Sequence, residues 1–215
     1  FQLDAVNIGL PEQQTFLSTV RVEDINNRSM LAEIATQHIP FNSEEMYFDI
    51  EPVPKHRSVS IAAGRKEFID AYIQLIESAN IQPAGLYVEA TAISEALMQN
   101  HLLQDKGGII IDIGTAHTTV IFYIKSSTYF TTSYPSVIQN TSIDANKYSA
   151  VLGQVLQYYQ SHFWEVAPLE HIQLCGSGAY IPQSLEITQQ LSGITTALGN
   201  PYSALKENHI SKKLT

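Results

Sequence analysis

Three consecutive isoleucines, Ile109, Ile110 and Ile111, preceded by two glycines and followed by Asp112-Ile113-Gly114, constrain this chain more than any other stretch. β-Branched side chains crowd a helix and suit a pleated strand, and a run that is apolar at every position fits a strand buried on both faces. The isoleucines therefore read as a central strand ending at Asp112, with Ile113-Gly114-Thr115-Ala116 as a tight turn. Residues 118–125 and 128–132 read as two further strands. A glycine in such a turn lets a ligand's oxygens approach backbone N–H groups, and a carboxylate at the strand end can hold the water shell of Mg²⁺. A hairpin in which Asp112 only caps the strand end is the other reading of the same residues.

The chain has 215 residues, enough for one large or two small domains, and its 44% apolar and 15% charged content is ordinary for a globular protein. A formal net charge of -9 argues against nucleic acid or an anionic membrane surface as the main partner. The basic cluster Lys206, Lys212 and Lys213 reads as a solvated terminus. One cysteine, Cys175, fits a reducing compartment and excludes an internal disulfide. No apolar run reaches membrane-span length, so direct membrane insertion is not expected, and the chain reads as cytosolic.

Residues 5–10 form a short strand closed by Pro11, and a loop follows. Residues 15–22 read as a strand, and Asp24 or Asn26 with Asn27 caps a helix over 29–38 that Pro40 stops. Residues 46–51 and 58–63 read as antiparallel strands. A helix opened by Gly64 and Arg65 carries Phe68, Ala71, Tyr72, Leu75, Ile76 and Ala79 on one face, and residues 81–89 return as a strand. The order over 15–89 is a split β-α-β pattern. Residues 91–101 read as a helix, 134–144 as a polar loop, and 147–164 as a long helix with Val151, Leu152, Val155, Leu156, Tyr159 and Phe163 at helical spacing. Tyr158 and Trp164 widen that apolar side, by core packing in preference to a partner groove.

Residues 171–175 read as a second buried strand, which runs into Gly176-Ser177-Gly178-Ala179; a helix over 184–191 and a strand over 193–196 follow. Glycines at that strand end let backbone pass close to a flat ring or sugar and offer N–H groups to an anion. They equally permit close packing of Gly178 and Ala179 on the sheet. Two such turns suggest a nucleotide held between loops that face each other across a cleft. The seven histidines have no metal spacing. His117 sits on the first turn, facing solvent or a γ-phosphate. No G-x-x-x-x-G-K-S/T segment occurs, and Cys175 reads as a buried thiol.

With these motifs in order, the chain resembles the PilM family of type IV pilus assembly proteins, relatives of FtsA in the actin-like ATPase superfamily. Residues 108–119 resemble the superfamily's second phosphate motif, with Asp112 and Gly114-Thr115 at its acidic and turn positions. Residues 174–182 resemble the adenosine motif, and Gly199-Asn200-Pro201-Tyr202-Ser203-Ala204-Leu205 resembles a segment near the end of the family's proteins. Ile39-Pro40-Phe41, Phe48-Asp49 and Arg65-Lys66-Glu67 match the inserted small domain. The resemblance implies an α/β actin-like ATPase (ribonuclease H-like) fold, incomplete at the N-terminus, with an inserted small α+β domain. Residues 1–14 would be a remnant of the first actin-like subdomain, 15–90 the inserted domain and 91–215 the second subdomain. The chain departs from the family in starting after the first phosphate hairpin, in a short segment between Thr132 and Tyr148, and in having Ser177 and Gln183 where glycines are usual.

By resemblance, the expected function is a cytosolic scaffold, peripheral to the bacterial inner membrane through a partner, in a pilus or related assembly complex. ATP or ADP with Mg²⁺ is the expected cofactor, chiefly a structural ligand, held by Asp112, Gly114, Thr115, Ala116, Gly176, Ser177, Gly178 and Ala179, with Asp112 reaching the Mg²⁺ through water. No catalytic residue is assigned, and the chain is at most a weak ATPase. The expected partners are the N-terminal tail of a PilN-like bitopic membrane protein and other pilus assembly components. In the family that peptide lies in a groove beside the inserted domain, and the strands at 15–22 and 46–51 are its expected docking edges. The alternatives are a nucleotide-free structural relative, as in GspL-like secretion components, and a polymerising FtsA-like ATPase.

Overall fold

The isoleucine run forms β6 (Gly107–Ile113), in which Ile109, Ile110, Ile111 and Ile113 are completely buried. In a computed structural model that describes residues 5–53, 57–98, 107–124, 127–163, 165 and 167–202, β6 pairs antiparallel with β7 (His117–Ile124) and parallel with β11 (Leu169–Cys175). Burial on both faces removes the need for alternation, and at about 1.5–3 kcal/mol per large aliphatic side chain this strand is a principal source of stability.

The chain divides into two compact units, residues 1–92 with 128–132 and residues 93–127 with 133–215. The second unit has the strand order β12-β11-β6-β7, with β12 (Thr195–Leu198) parallel to β11. Its long helix is α4 (Ala145–His162), opened by Asp144, whose Oδ1 accepts the Lys147 N–H at 3.1 Å. Tyr148, Leu152, Val155 and Tyr159 recur at intervals of four and three and are all buried. Helix α5 (Pro182–Ser192) packs on α4, where the Tyr148 hydroxyl meets Thr188 Oγ1 at 2.7 Å. Proline at its first turn and Gly193 at φ 64° delimit α5. Phe122, Tyr158, Tyr159 and Phe163 form one ring cluster, in keeping with the core reading of these aromatics. Trp164 lies outside the described residues.

The expected loop at 134–144 contains a small hairpin, β9 (Ile138–Gln139) with β10 (Ser142–Ile143). Asn140 and Thr141 at its tip have φ 48° and 67°, the left-handed geometry of a two-residue hairpin turn. Two-residue strands carry no period for sequence reading to detect.

In the first unit, β2 (Thr15–Arg21), β3 (Met46–Val53), β4 (Ser58–Arg65) and the 128–132 part of β8 (Ser127–Pro135) take the order β8-β2-β4-β3. β3 and β4 are antiparallel, as read from the sequence. Helix α1 (Arg28–His38), capped by Asn27 accepting the Met30 N–H, packs Leu31 and Ala35 among Val59, Ile61 and Met46. The elements at 15–89 follow the expected order, yet β5 (Gln82–Val88) does not join this sheet. It pairs parallel with β1 (Ala5–Leu10), and β8 takes the place beside β2. Sequence reading of a local pattern cannot see this long-range exchange.

Helix α2 (Lys66–Ser78) is rotated from its expected face: Ile69 is buried and Phe68, Tyr72, Ile73 and Ile76 pack with Ile8 and Leu10. Leu75 is 65% exposed, and Ala71 and Ala79 are also exposed. Ile69 and Ile73 carry more apolar surface than the two alanines, which turns the helix by about one position. The helix expected at 91–101 is α3 (Glu89–Met98); residues 99–101 lie outside the described residues. No described helix is long and apolar enough to cross a membrane.

Candidate functional site

Two regions are candidates for a site, one in each unit, and the one in the second unit gathers the residues singled out by sequence. In the second, the parallel pairing of β6 with β11 sets Asp112 opposite Cys175, so both glycine turns leave the sheet at the same end. Carboxyl ends of parallel strands are where open α/β sheets bind ligands. The turns abut directly, where a cleft between them was expected. Gly176, at φ 80°, lies so close to Asp112 that a Cβ there would strike Oδ1, and a Cβ on Gly178 would strike Ile113 Cγ2. Neighbouring strands stand about 4.8 Å apart, which leaves no intervening hollow at this level.

The first turn is a closed hairpin: the Gly114 N–H donates to His117 O at 2.9 Å. Ser136, which sequence reading left in a polar loop, braces it. Its Oγ donates to Gly114 O at 2.8 Å and its N–H to Ala116 O at 3.2 Å. Thr115, Ala116 and His117 are thereby exposed at the tip, and Ser177 is exposed on the second turn while Gly178 and Ala179 are buried. Burial raises the Asp112 carboxyl above the ordinary carboxylate range, and a hydrogen bond from the Cys175 thiol pulls it partly back. Cys175 is half-buried, where the sequence suggested a buried thiol. One carboxylate, already holding a thiol, suits the outer water shell of a Mg²⁺ and not direct multidentate coordination.

The second region was not legible in the sequence. In the first unit an apolar hollow of ≈ 330 Å³ is floored by Leu10, Ile69, Ile73, Leu86 and Val88. Tyr47, Phe48 and Asp49 of β3 form one wall and Tyr87 of β5 another. Tyr47, Phe48 and Tyr87 are 46%, 40% and 50% exposed, a concentration of aromatic surface of the kind that marks interaction sites. Its lining comes from six separate elements, so no local pattern announces it; the signal available was the adjacent aromatic pair of β3, Tyr47-Phe48.

Of the two strands expected as docking edges, only β3 lies at an edge of its sheet. β2 is interior in the strand order: it pairs along its whole length with β4, and on its other side Ser18 pairs with Phe130 of β8. β3 ends the strand order, and Asp49 Oδ1 accepts the Ile50 N–H at 2.8 Å. Pro52 contributes no N–H, which blunts the same half of the edge.

Solved structures share this fold. A PilM-PilN type IV pilus biogenesis complex superposes with a TM-score of 0.73 at 15% identity, covering 94% of this chain and 70% of that one. A Bacteroides thetaiotaomicron VPI-5482 protein with actin-like ATPase fold and unknown function gives 0.54 at 11% identity, covering 92% and 69%. The cytoplasmic domain of EpsL, an inner-membrane component of the type II secretion system of Vibrio cholerae, gives 0.52 at 11%, covering 81% and 62%. Among curated proteins no sequence match is found. The fold is that of the actin-like ATPases. The family model of the type IV pilus assembly protein PilM matches residues 3–134, more than half of the sequence, and the chain belongs to that family.

Proposed function

We propose that this chain is a scaffold of a pilus assembly complex that docks the cytoplasmic N-terminal tail of a PilN-like bitopic membrane protein in the apolar groove of its first unit. The observation that carries this reading is the groove itself, an apolar floor between exposed Tyr47, Phe48 and Tyr87. It agrees with the resemblance, which implies a peptide groove beside the inserted domain. In this reading the inserted domain is residues 15–90, flanked by 1–14 and 91–215, and the protein works in the cytoplasm, held to the inner membrane by its partner.

Nucleotide is the second part of the proposal. ATP or ADP with Mg²⁺ would sit at the turns of the second unit, its phosphates on Gly114, Thr115 and Ala116 and its adenosine on Gly176, Ser177, Gly178 and Ala179. Asp112 would hold the hydrated ion, which supplies charge neutralisation to the phosphates. A ligand that binds only the folded state adds about 2.7 kcal/mol at a hundredfold excess over Kd, so a structural role needs no turnover. A specific observation favours the nucleotide-free alternative: Asp112 is engaged by the Cys175 thiol and Gly178 is filled by Ile113.

Two experiments test these parts. Calorimetric titration of the chain with Mg-ATP is expected to give saturable heat without phosphate release, weakened about tenfold or more in Asp112→Ala, since a charge-assisted contact contributes roughly 1.5–3 kcal/mol. Absence of heat selects the nucleotide-free reading, and heat with phosphate release selects the hydrolysing one. For the groove, Phe48→Ala with Tyr87→Ala is expected to weaken tail-peptide binding about thirtyfold or more, as loss of two aromatic anchors does. Both residues are exposed, so far-UV circular dichroism should be unchanged.

A further inference from the structure

Residues 128–132 of β8 belong to the first unit, although the chain on either side of them belongs to the second. Their backbone hold on the first unit is narrow. β2 pairs with β4 along all of Thr15–Arg21, but with β8 through Ser18 and Phe130. The other fastenings come from side chains. Thr19 Oγ1 donates to Thr128 O at 2.7 Å, a hydrogen bond joins the Tyr129 and Ser58 side chains, and the Thr131 hydroxyl donates to Glu12 Oε1. Tyr129 and Thr131, two residues apart on the strand, are both buried, so they share its covered face.

Glu12 is the weak member of this set. It opens a 3-10 turn, Glu12–Gln14, whose backbone is pinned by the Gln14 N–H and the Thr15 hydroxyl, which both donate to Pro11 O at 3.1 Å. The turn thereby presents the carboxyl to Thr131 in a buried position, where Oε2 has no hydrogen-bond partner among the described residues. Thr15 on β2 and Thr131 on β8 are neutral, and the charge that reaches Glu12 is that of Glu89 at the start of α3, of the same sign. A protonated carboxyl tolerates such a site, whereas a carboxylate with one oxygen unsolvated and a like charge nearby does not. Lifting 128–132 would admit water to Oε2 for the loss of few contacts.

We infer that residues 128–132 are a releasable strap on the first unit with Glu12 as its latch: ionisation of Glu12 opens the strap and uncovers the edge of β2, while β4 stays paired. The inference is independent of the docking and nucleotide readings above. Burial, opposed by the Thr131 hydrogen bond and reinforced by Glu89, raises the carboxyl from 4.5 to about 7. With the strap open the carboxyl meets water and regains its ordinary value. Closure is therefore fully held below about pH 4.5, weakens as pH rises to about 7, and then levels off.

Hydrogen exchange of the full chain, read by mass spectrometry from pH 4.5 to 7.5 with each rate divided by the intrinsic rate at that pH, tests this. Peptides covering β8 and β2 are compared with one covering β4, which is paired on both sides. The amides covered by the contact between β2 and β8 are expected to lose protection about a hundredfold across this range, while β4 remains more protected. Low urea should not change the loss, because a small opening exposes little surface. Glu12→Gln should abolish the pH dependence. Glu89→Gln, at an exposed position, should keep the dependence and move its midpoint to lower pH, which a merely structural role for Glu12 would not do.

If the β8, β2 and β4 peptides lose protection together and with one urea dependence, Glu12 acts on the whole unit and there is no strap. Protection that does not change with pH in the wild type, or a pH dependence that survives Glu12→Gln, overturns the inference as well. Should Glu12→Gln lose the native circular dichroism spectrum, Glu89→Gln decides, and an unmoved midpoint there overturns it.

Discussion

Replacing Gly178 with valine is expected to cost the fold about 3 kcal/mol, at the upper end of the penalty for overpacking a filled core. A Cβ at Gly178 strikes Ile113 Cγ2 and would stand 3.0 Å from the Ile113 carbonyl oxygen, and backbone cannot swing aside as a side chain can. The 3-10 turn Ser177–Tyr180 is therefore held against the end of β6 by the absence of a side chain. Gly153 on α4 provides the contrast. It is exposed, with nothing within 4 Å of a Cβ there, so Gly153→Ala should add about 0.5–1 kcal/mol through helix propensity. Urea denaturation of the two variants should move the midpoint in opposite directions. Equal midpoints for Gly178→Val and wild type would mean that the two turns do not abut.

The second large effect belongs to Glu12, which follows Pro11 in what reads as an ordinary polar loop. Its side chain is 6% exposed; Oε1 accepts the Thr131 hydroxyl, and Oε2 has no hydrogen-bond partner among the described residues. Burial pushes its carboxyl from the ordinary 4.5 up to about 7, the Thr131 bond opposes the rise, and the Glu89 charge adds to it. Between these values the folded protein holds a proton that the unfolded chain releases, so stability falls as pH rises from about 4.5 to about 7 and then levels off. The interval corresponds to about 3 kcal/mol. Glu12→Gln removes the titration, so at pH 8 it should exceed the wild type by about 2–3 kcal/mol, while at pH 4 the two should agree within about 0.5 kcal/mol. Denaturant titrations at the two pH values give the difference directly. A variant less stable than wild type at pH 8 would place the charged carboxylate in a favourable site.

How much of this was legible depended on whether the determining contacts were local. Asn27 and Asp144 announce helix starts because a cap acts on N–H groups two or three residues away. The α4 stripe and the isoleucine strand are visible because burial imposes its period, or lack of one, on adjacent residues. The exchange of β5 from β2 to β1 left no such trace: Leu86 pairs with Ile8, and both are apolar in either arrangement. Glu12 was missed for the opposite reason, since its type is that of a solvated loop and only the fold buries it.

The candidate site divides in the same way. Asp112, Gly114, Gly176 and Gly178 were found because glycine and acid at strand ends have a chemical meaning in one dimension, and β6 with β11 brings them together. Their adjacency, the Cys175 thiol on Asp112 and the Ser136 brace appear only in three dimensions. The groove is further from the sequence, because Leu10, Tyr47, Ile69 and Tyr87 come from β1, β3, α2 and β5.

Methyl NMR of the isoleucine-, leucine- and valine-labelled chain, titrated with the tail peptide, tests the docking claim most directly because it reports where the peptide lies. Shifts are expected to concentrate at Leu10, Ile69, Ile73, Leu86 and Val88, with Ile109, Ile110 and Ile111 unchanged. Shifts confined to the second unit, or saturable binding that leaves all five groove methyls unmoved, would contradict that claim.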